Sequence, residues 1–198
     1  MLRIDLFAED RAHELFVSAL LRRILGQTGL PFMLNFRSAV GGHGRALAAL
    51  KTYQRAVLKG AAGLVRPDLL IVIIDANCNK PVAARNAILG EIVAGAAGEV
   101  VIACPDPHIE RWFFADPEVF ARVIGVDQQP GRRKCERSRY KALLKDAVRR
   151  AGHFPTVGGV EFAEDLVREM DLNRAKRNEP SLGVLLDAVN AFAARAVH

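Results

Sequence analysis

The stretch Leu69 to Ile74, six aliphatic residues ending directly on Asp75, constrains this chain more than any other. A run with no polar alternation has no face to offer water, so it reads as a strand covered on both sides. It is far too short to cross a bilayer, which takes about 20 apolar residues. Such a strand needs helices above and below, and the flanking sequence supplies them. Leu2 to Ala8 alternates loosely and is rich in branched residues, a first strand. From Asp10, the apolar positions Leu15, Phe16, Ala19, Leu20 and Ile24 recur at helical spacing until Gly26. Pro31 to Arg37 is a second strand, closed by the turn Gly41-Gly42-His43-Gly44, and Arg45 to Lys59 is a helix stopped by Gly60. A helix follows Pro81, and Val100 to Cys104 is a fourth strand. Strands alternating with helices imply right-handed crossovers, hence an α/β fold with a doubly wound, mainly parallel sheet and helices on both faces.

Beyond Cys104 the pattern changes. Asp106-Pro107 and Asp116-Pro117 each place a capping residue before a proline, the mark of a helix start. Ser138 to Ala151, Val160 to Met170 and Pro180 to Ala196 read as helices. With no repeat or linker, the chain is expected to be one domain over 1–198, a core of about 1–116 with a helical extension of about 117–198. A hydrophobic content of 51% against 25% charged residues excludes a disordered chain. The N-terminus carries Asp5, Glu9 and Asp10 and lacks the order of a signal peptide. Three scattered cysteines, Cys78, Cys104 and Cys135, form no CxxC pair. They argue for a reducing compartment and against a disulfide framework or a cysteine zinc site. The expected location is the cytoplasm, with no membrane partner.

The net charge of +6 is concentrated. Between Pro130 and Arg150 nine basic residues face only Glu136 and Asp146, so this stretch carries +7 and the remainder of the chain −1. Clustered cations suit a polyanion, because each neutralised phosphate releases counterions. Arg132, Arg133, Lys134 and Arg137 are the candidate nucleic-acid contacts; the plainer alternative is a solvated helix face.

Ligands of open α/β sheets bind beyond the carboxyl ends of the strands. Three of those ends are acidic here: Glu9-Asp10 after the first strand, Asp75 with Asn77 after the third, and Asp106 with Glu110 after the fourth. Two carboxylates at ~4 Å repel by roughly 1–4 kcal/mol, so such a cluster calls for compensation. Mg²⁺ or Mn²⁺ fits hard oxygen ligands and would draw in a phosphate and polarise it. Plainer roles compete. Asp10 can cap the first helix, and Asp106 and Asp116 are better explained as N-caps. Glu110 is favoured in a first helical turn by the dipole. Asn77 can serve the turn, Lys80 the surface, and His43 a glycine turn with no phosphate in it. His13, one turn into a helix beside Glu14, is expected on the surface. Trp112, Phe113 and Phe114 are expected in the core. Asp75, at the mouth of a buried strand, resists a plain reading best.

Leu6-Phe7-Ala8-Glu9-Asp10 with His13-Glu14-Leu15-Phe16, and Ile73-Ile74-Asp75-Ala76-Asn77, resemble the two acidic motifs of the Toprim domain. Pro105 to Trp112 and the segments Met170-Asp171 and Pro180-Ser181-Leu182 are similar to stand-alone bacterial Toprim-like proteins of the RloB and OLD-nuclease kind. The resemblance implies a Toprim-like fold and a metal-dependent nuclease acting on DNA or RNA. Glu9, Asp75 and Glu110 would be catalytic, and Glu9, Asp75 and Asn77 would hold Mg²⁺ or Mn²⁺. It also implies work in phage defence beside an ATPase partner, and admits a second copy of the chain as a partner. Asp10 stands where the family has glycine and Asn77 where it has a second aspartate. Those departures favour the alternative, a catalytically impaired module that binds nucleic acid or a protein. A dinucleotide enzyme lacks its Gly-x-Gly-x-x-Gly, and a receiver domain would need Ser or Thr where Cys104-Pro105 stands.

Overall fold

The computed structural model describes residues 1–38, 43–77, 79–136 and 138–197. Gly41, Gly42 and the side chain of His43, with Cys78 and Arg137, therefore lie outside the described part. Among the described residues four parallel strands, β1 (Leu2–Ala8), β2 (Phe32–Phe36), β3 (Leu69–Ile73) and β4 (Glu99–Ala103), form one sheet in the order β2-β1-β3-β4. All five residues of β3 are buried, as its unbroken apolar run required.

The register explains how two cores arise from one sheet. Ile4 pairs with Leu69, Leu6 with Ile71 and Ala8 with Ile73, while Ile71 and Ile73 pair in turn with Val101 and Ala103. Side chains in register on a pleated sheet share a face. These all point toward α1 (Arg11–Gly26), into a cluster with Phe16, Leu20 and Ile24. The alternate residues Phe7, Leu70, Val72, Ile74 and Ile102 point the other way, against Ala46 and Leu50 of α2 (His43–Leu58) and Ala84 and Ile88 of α3 (Pro81–Leu89). Helices thus cover both faces.

The remaining chain builds α4 (Pro117–Ile124), α5 (Arg139–Arg150), α6 (Ala163–Glu169), α7 (Leu172–Asn178) and α8 (Pro180–Ala196). Their apolar residues, among them Phe120, Leu144, Leu166, Leu182 and Val189, join the α1-side cluster, so the C-terminal helices share the sheet's own core. Trp112, Phe113 and Phe114 lie in a 3-10 turn (Ile109–Phe114) and are fully buried, with Phe16 4.9 Å from the ring of Phe113. Trp112 Nε1 donates to Ser181 Oγ at 2.9 Å, fastening that turn to the start of α8.

Two expectations are corrected. Asp116 does cap α4, but Asp106 caps nothing: the turn that follows starts at Ile109 after His108, and Asp106 instead pairs with Arg133 at 2.5 Å. Cys104 is a buried free thiol, whereas Cys135 is disulfide-bonded, against the expectation drawn from an odd, scattered set. Among the described residues no helix is long and apolar enough to cross a membrane.

Candidate metal centre

The strand order puts a topological switch between β1 and β3. The helix after β1 packs on one face and the helix after β3 on the other, so a crevice opens at their carboxyl ends. Glu9 and Asp75 both stand there. Asp75 N–H donates to Glu9 Oε2 at 3.1 Å, which brings the two carboxylates together across 66 residues of sequence.

Asp10 caps α1, accepting from Ala12 N–H at 2.9 Å and His13 N–H at 3.3 Å. The cap also sets His13, whose Nδ1 lies 2.7 Å from Asp10 Oδ1 and whose Nε2 lies 3.0 Å from Asp75 Oδ1. His13 is fully buried, correcting its expected surface position. Helical period could have revealed it: positions 13, 16, 17, 20 and 24 form one stripe, and the others on it are core. Burial alone would depress its proton affinity. The charge of Asp75 and the bonds to both aspartates overcome that and push its pKa up to about 10. Burial works against Asp10 and Asp75 as well, yet the imidazolium lowers both, Asp10 to about 2.

The turn after β4 completes the site. Ile109 N–H donates to Asp75 Oδ1 at 2.8 Å, and His108 Nδ1 lies 3.2 Å from Oδ2. The bond to Asp75 raises the affinity of His108 for its proton, while His108 Nε2 is buried without a partner among the described residues. Ala76 N–H and Asn77 N–H donate to Pro105 and Pro107 carbonyls, tying the loops after β3 and β4 together. Glu110 is buried. Burial first, and the charge of Asp75 second, raise the pKa of both Glu110 and Glu9. Asn77 adopts a left-handed backbone (φ 51°) and donates its side-chain amide to the Asp75 carbonyl at 3.2 Å, a turn-forming contact.

One oxygen each from Glu9 and Asp75 and one nitrogen of His13 lie within 4.8 Å of one another, a spacing that one cation could bridge. The two carboxylate oxygens suit Mg²⁺ or Mn²⁺, and the His13 nitrogen can join them only by giving up the proton it holds against Asp75. Asp75 raises the proton affinity of Glu9 and Glu110 by repulsion, which a cation would relieve. The residues fit such an ion.

The basic segment docks on the same rim. Arg111, next to Glu110, donates from Nη1 to Gly131 C=O (3.2 Å) and to Tyr140 Oη (3.1 Å), and its Nε pairs with Glu179 at 2.7 Å. Buried Tyr140 Oη accepts from Lys134 N–H at 2.9 Å. Arg132 is exposed, Arg133 is paired with Asp106, and Lys134 Nζ lies 3.8 Å from Glu136. Arg111 and Tyr140, which the sequence did not single out, are what hold this segment beside the acidic crevice. No family model, no curated protein and no solved structure matches this chain.

Proposed function

We propose that the chain is a Toprim-like nuclease that hydrolyses phosphodiester bonds of DNA or RNA with the help of Mg²⁺ or Mn²⁺. The observation that carries this is the meeting of Glu9, His13 and Asp75 at the switch point of the sheet. Glu9 and Asp75 would hold the ion, with the His13 imidazolium, bonded to Asp10 and Asp75, orienting Asp75. The ion would supply polarisation of the phosphate and charge for the leaving oxygen. Glu110, its proton affinity raised, suits a base that orients and deprotonates the attacking water. Arg132, Arg133 and Lys134 would grip flanking phosphates. Phage defence beside an ATPase rests on the resemblance alone.

One observation favours a second reading, a binding module that has lost catalysis. Both oxygens of Asp75 are already engaged, Oδ1 by His13 and Ile109 N–H and Oδ2 by His108. In that case the imidazolium ion supplies the positive charge and no metal is needed. Mn²⁺ titration followed by electron paramagnetic resonance separates the two. A nuclease shows saturable binding that Asp75→Ala abolishes, together with metal-dependent cleavage of single- or double-stranded substrates. Absence of saturable binding removes the nuclease and leaves the module.

A further inference from the structure

β2 is an edge strand, and among the described residues only β1 pairs with it. Leu2 N–H donates to Pro31 C=O at 2.9 Å, and Arg37 N–H donates to Leu6 C=O at 2.8 Å. Ladder bonds of parallel strands recur at every second residue, so Met33 and Asn35 also face β1. Phe32, Leu34 and Phe36 therefore turn their N–H and C=O groups outward. Such a row is a template for another strand, and natural edges are commonly guarded by charge, proline or a bulge. Phe-Met-Leu-Asn-Phe has neither charge nor proline, and leaves Met33 44% and Phe36 40% exposed.

We infer that β2 pairs antiparallel with β2 of a second copy, about a two-fold axis through Leu34, joining two four-stranded sheets into one of eight. Backbone parity requires the axis to pass through a residue and not between two, and Leu34 is the central residue of the strand, so this register pairs all five. Phe32 of one copy then lies opposite Phe36 of the other, twice over. Phe32, Leu34 and Phe36 share the α1 face of the sheet, where Phe32 and Leu34 already pack on the core. Each exposed Phe36 ring thereby gains an aromatic cross-strand neighbour. The charges agree with this register. Arg37 falls opposite uncharged Pro31 and is held by Asp5 of its own chain at 3.1 Å, so no like charges meet. The strand is complementary to itself, which is what a closed two-fold interface demands.

A five-residue pairing is small for an interface, so the dimer dissociates with a constant on the order of micromolar. Sedimentation equilibrium of the full chain, from low to high micromolar, reads this directly. The expected result is a reversible monomer–dimer equilibrium whose dissociation constant rises at least about tenfold in Phe36→Lys. Phe36→Pro should do the same, because the N–H it deletes is an outward one and the ladder to β1 stays whole. Circular dichroism confirms that both variants fold. A wild type that is monomeric throughout overturns the inference, and so does a dimer that survives undiminished in both folded variants.

Discussion

His13 has no contact with solvent and stands between two carboxylates, so its removal leaves Asp75 buried against Glu9 with one counter-charge fewer. Breaking a buried, hydrogen-bonded charge network typically costs about 3 kcal/mol or more. His13→Ala should destabilise the fold by roughly that amount, read as a lowered midpoint in urea. Glu179 makes a contribution that depends on pH. Burial outweighs its partner Arg111 and raises its pKa from 4.5 to about 7. The folded state therefore holds this proton more tightly than the unfolded chain. Its contribution to stability is greatest below about 4.5, is lost as pH rises toward about 7, and changes no further above that. Glu179→Gln should flatten the stability profile in that window, as urea unfolding at a series of pH values would reveal. An unchanged slope would assign the pH dependence to other groups.

Among the elements, the 3-10 turn Ile109–Phe114 has the densest set of tasks. Ile109 donates to Asp75, Glu110 faces the acids, Arg111 holds the basic segment, and Trp112 anchors α8. Tyr140 is its counterpart on α5. Tyr140→Phe removes one buried hydroxyl and should cost about 1 kcal/mol of stability. It should weaken nucleic-acid binding while leaving Mn²⁺ affinity unchanged, since it touches the segment and not the carboxylates. Filter binding and metal titration on the same variant measure both. Arg132→Ala combined with Arg133→Ala should lower the slope of log affinity against log salt by about two at most. An unaltered slope would remove the segment from the phosphate contacts.

At the scale of the molecule, the sheet and the C-terminal helices share one apolar core, with α1 packed between them. Trp112→Ala, at a fully buried site that joins the two, should cost about 3–5 kcal/mol and unfold them in a single transition by calorimetry. Two separate transitions would show that the extension folds on its own. Strand and helix positions were legible in the sequence because periodicity of two or of 3.6 is a local property that burial amplifies. Thus β3 lies at Leu69–Ile73 within the run Leu69 to Ile74, and α8 matches Pro180 to Ala196. The short α7 was not legible, because Leu172–Asn178 has too few apolar positions to reveal a period. Asp106 misled for a related reason: Asp-Pro has the same local chemistry whether a helix follows or, as here, an arginine from a distant segment takes the carboxylate.

By itself the sequence determined the alternation of buried strand and amphipathic helix, and with it the α/β class and the placing of Glu9 and Asp75 at strand ends. Those are consequences of side-chain period and backbone geometry, which act over a few residues. Only the tertiary structure decided that β1 and β3 are neighbours at the switch point, that His13 turns inward to join two aspartates, and that Arg111 and Tyr140 bring the basic segment to the same rim. These depend on the order of strands in the sheet and on hydrogen bonds between groups far apart in the chain. No local period encodes them.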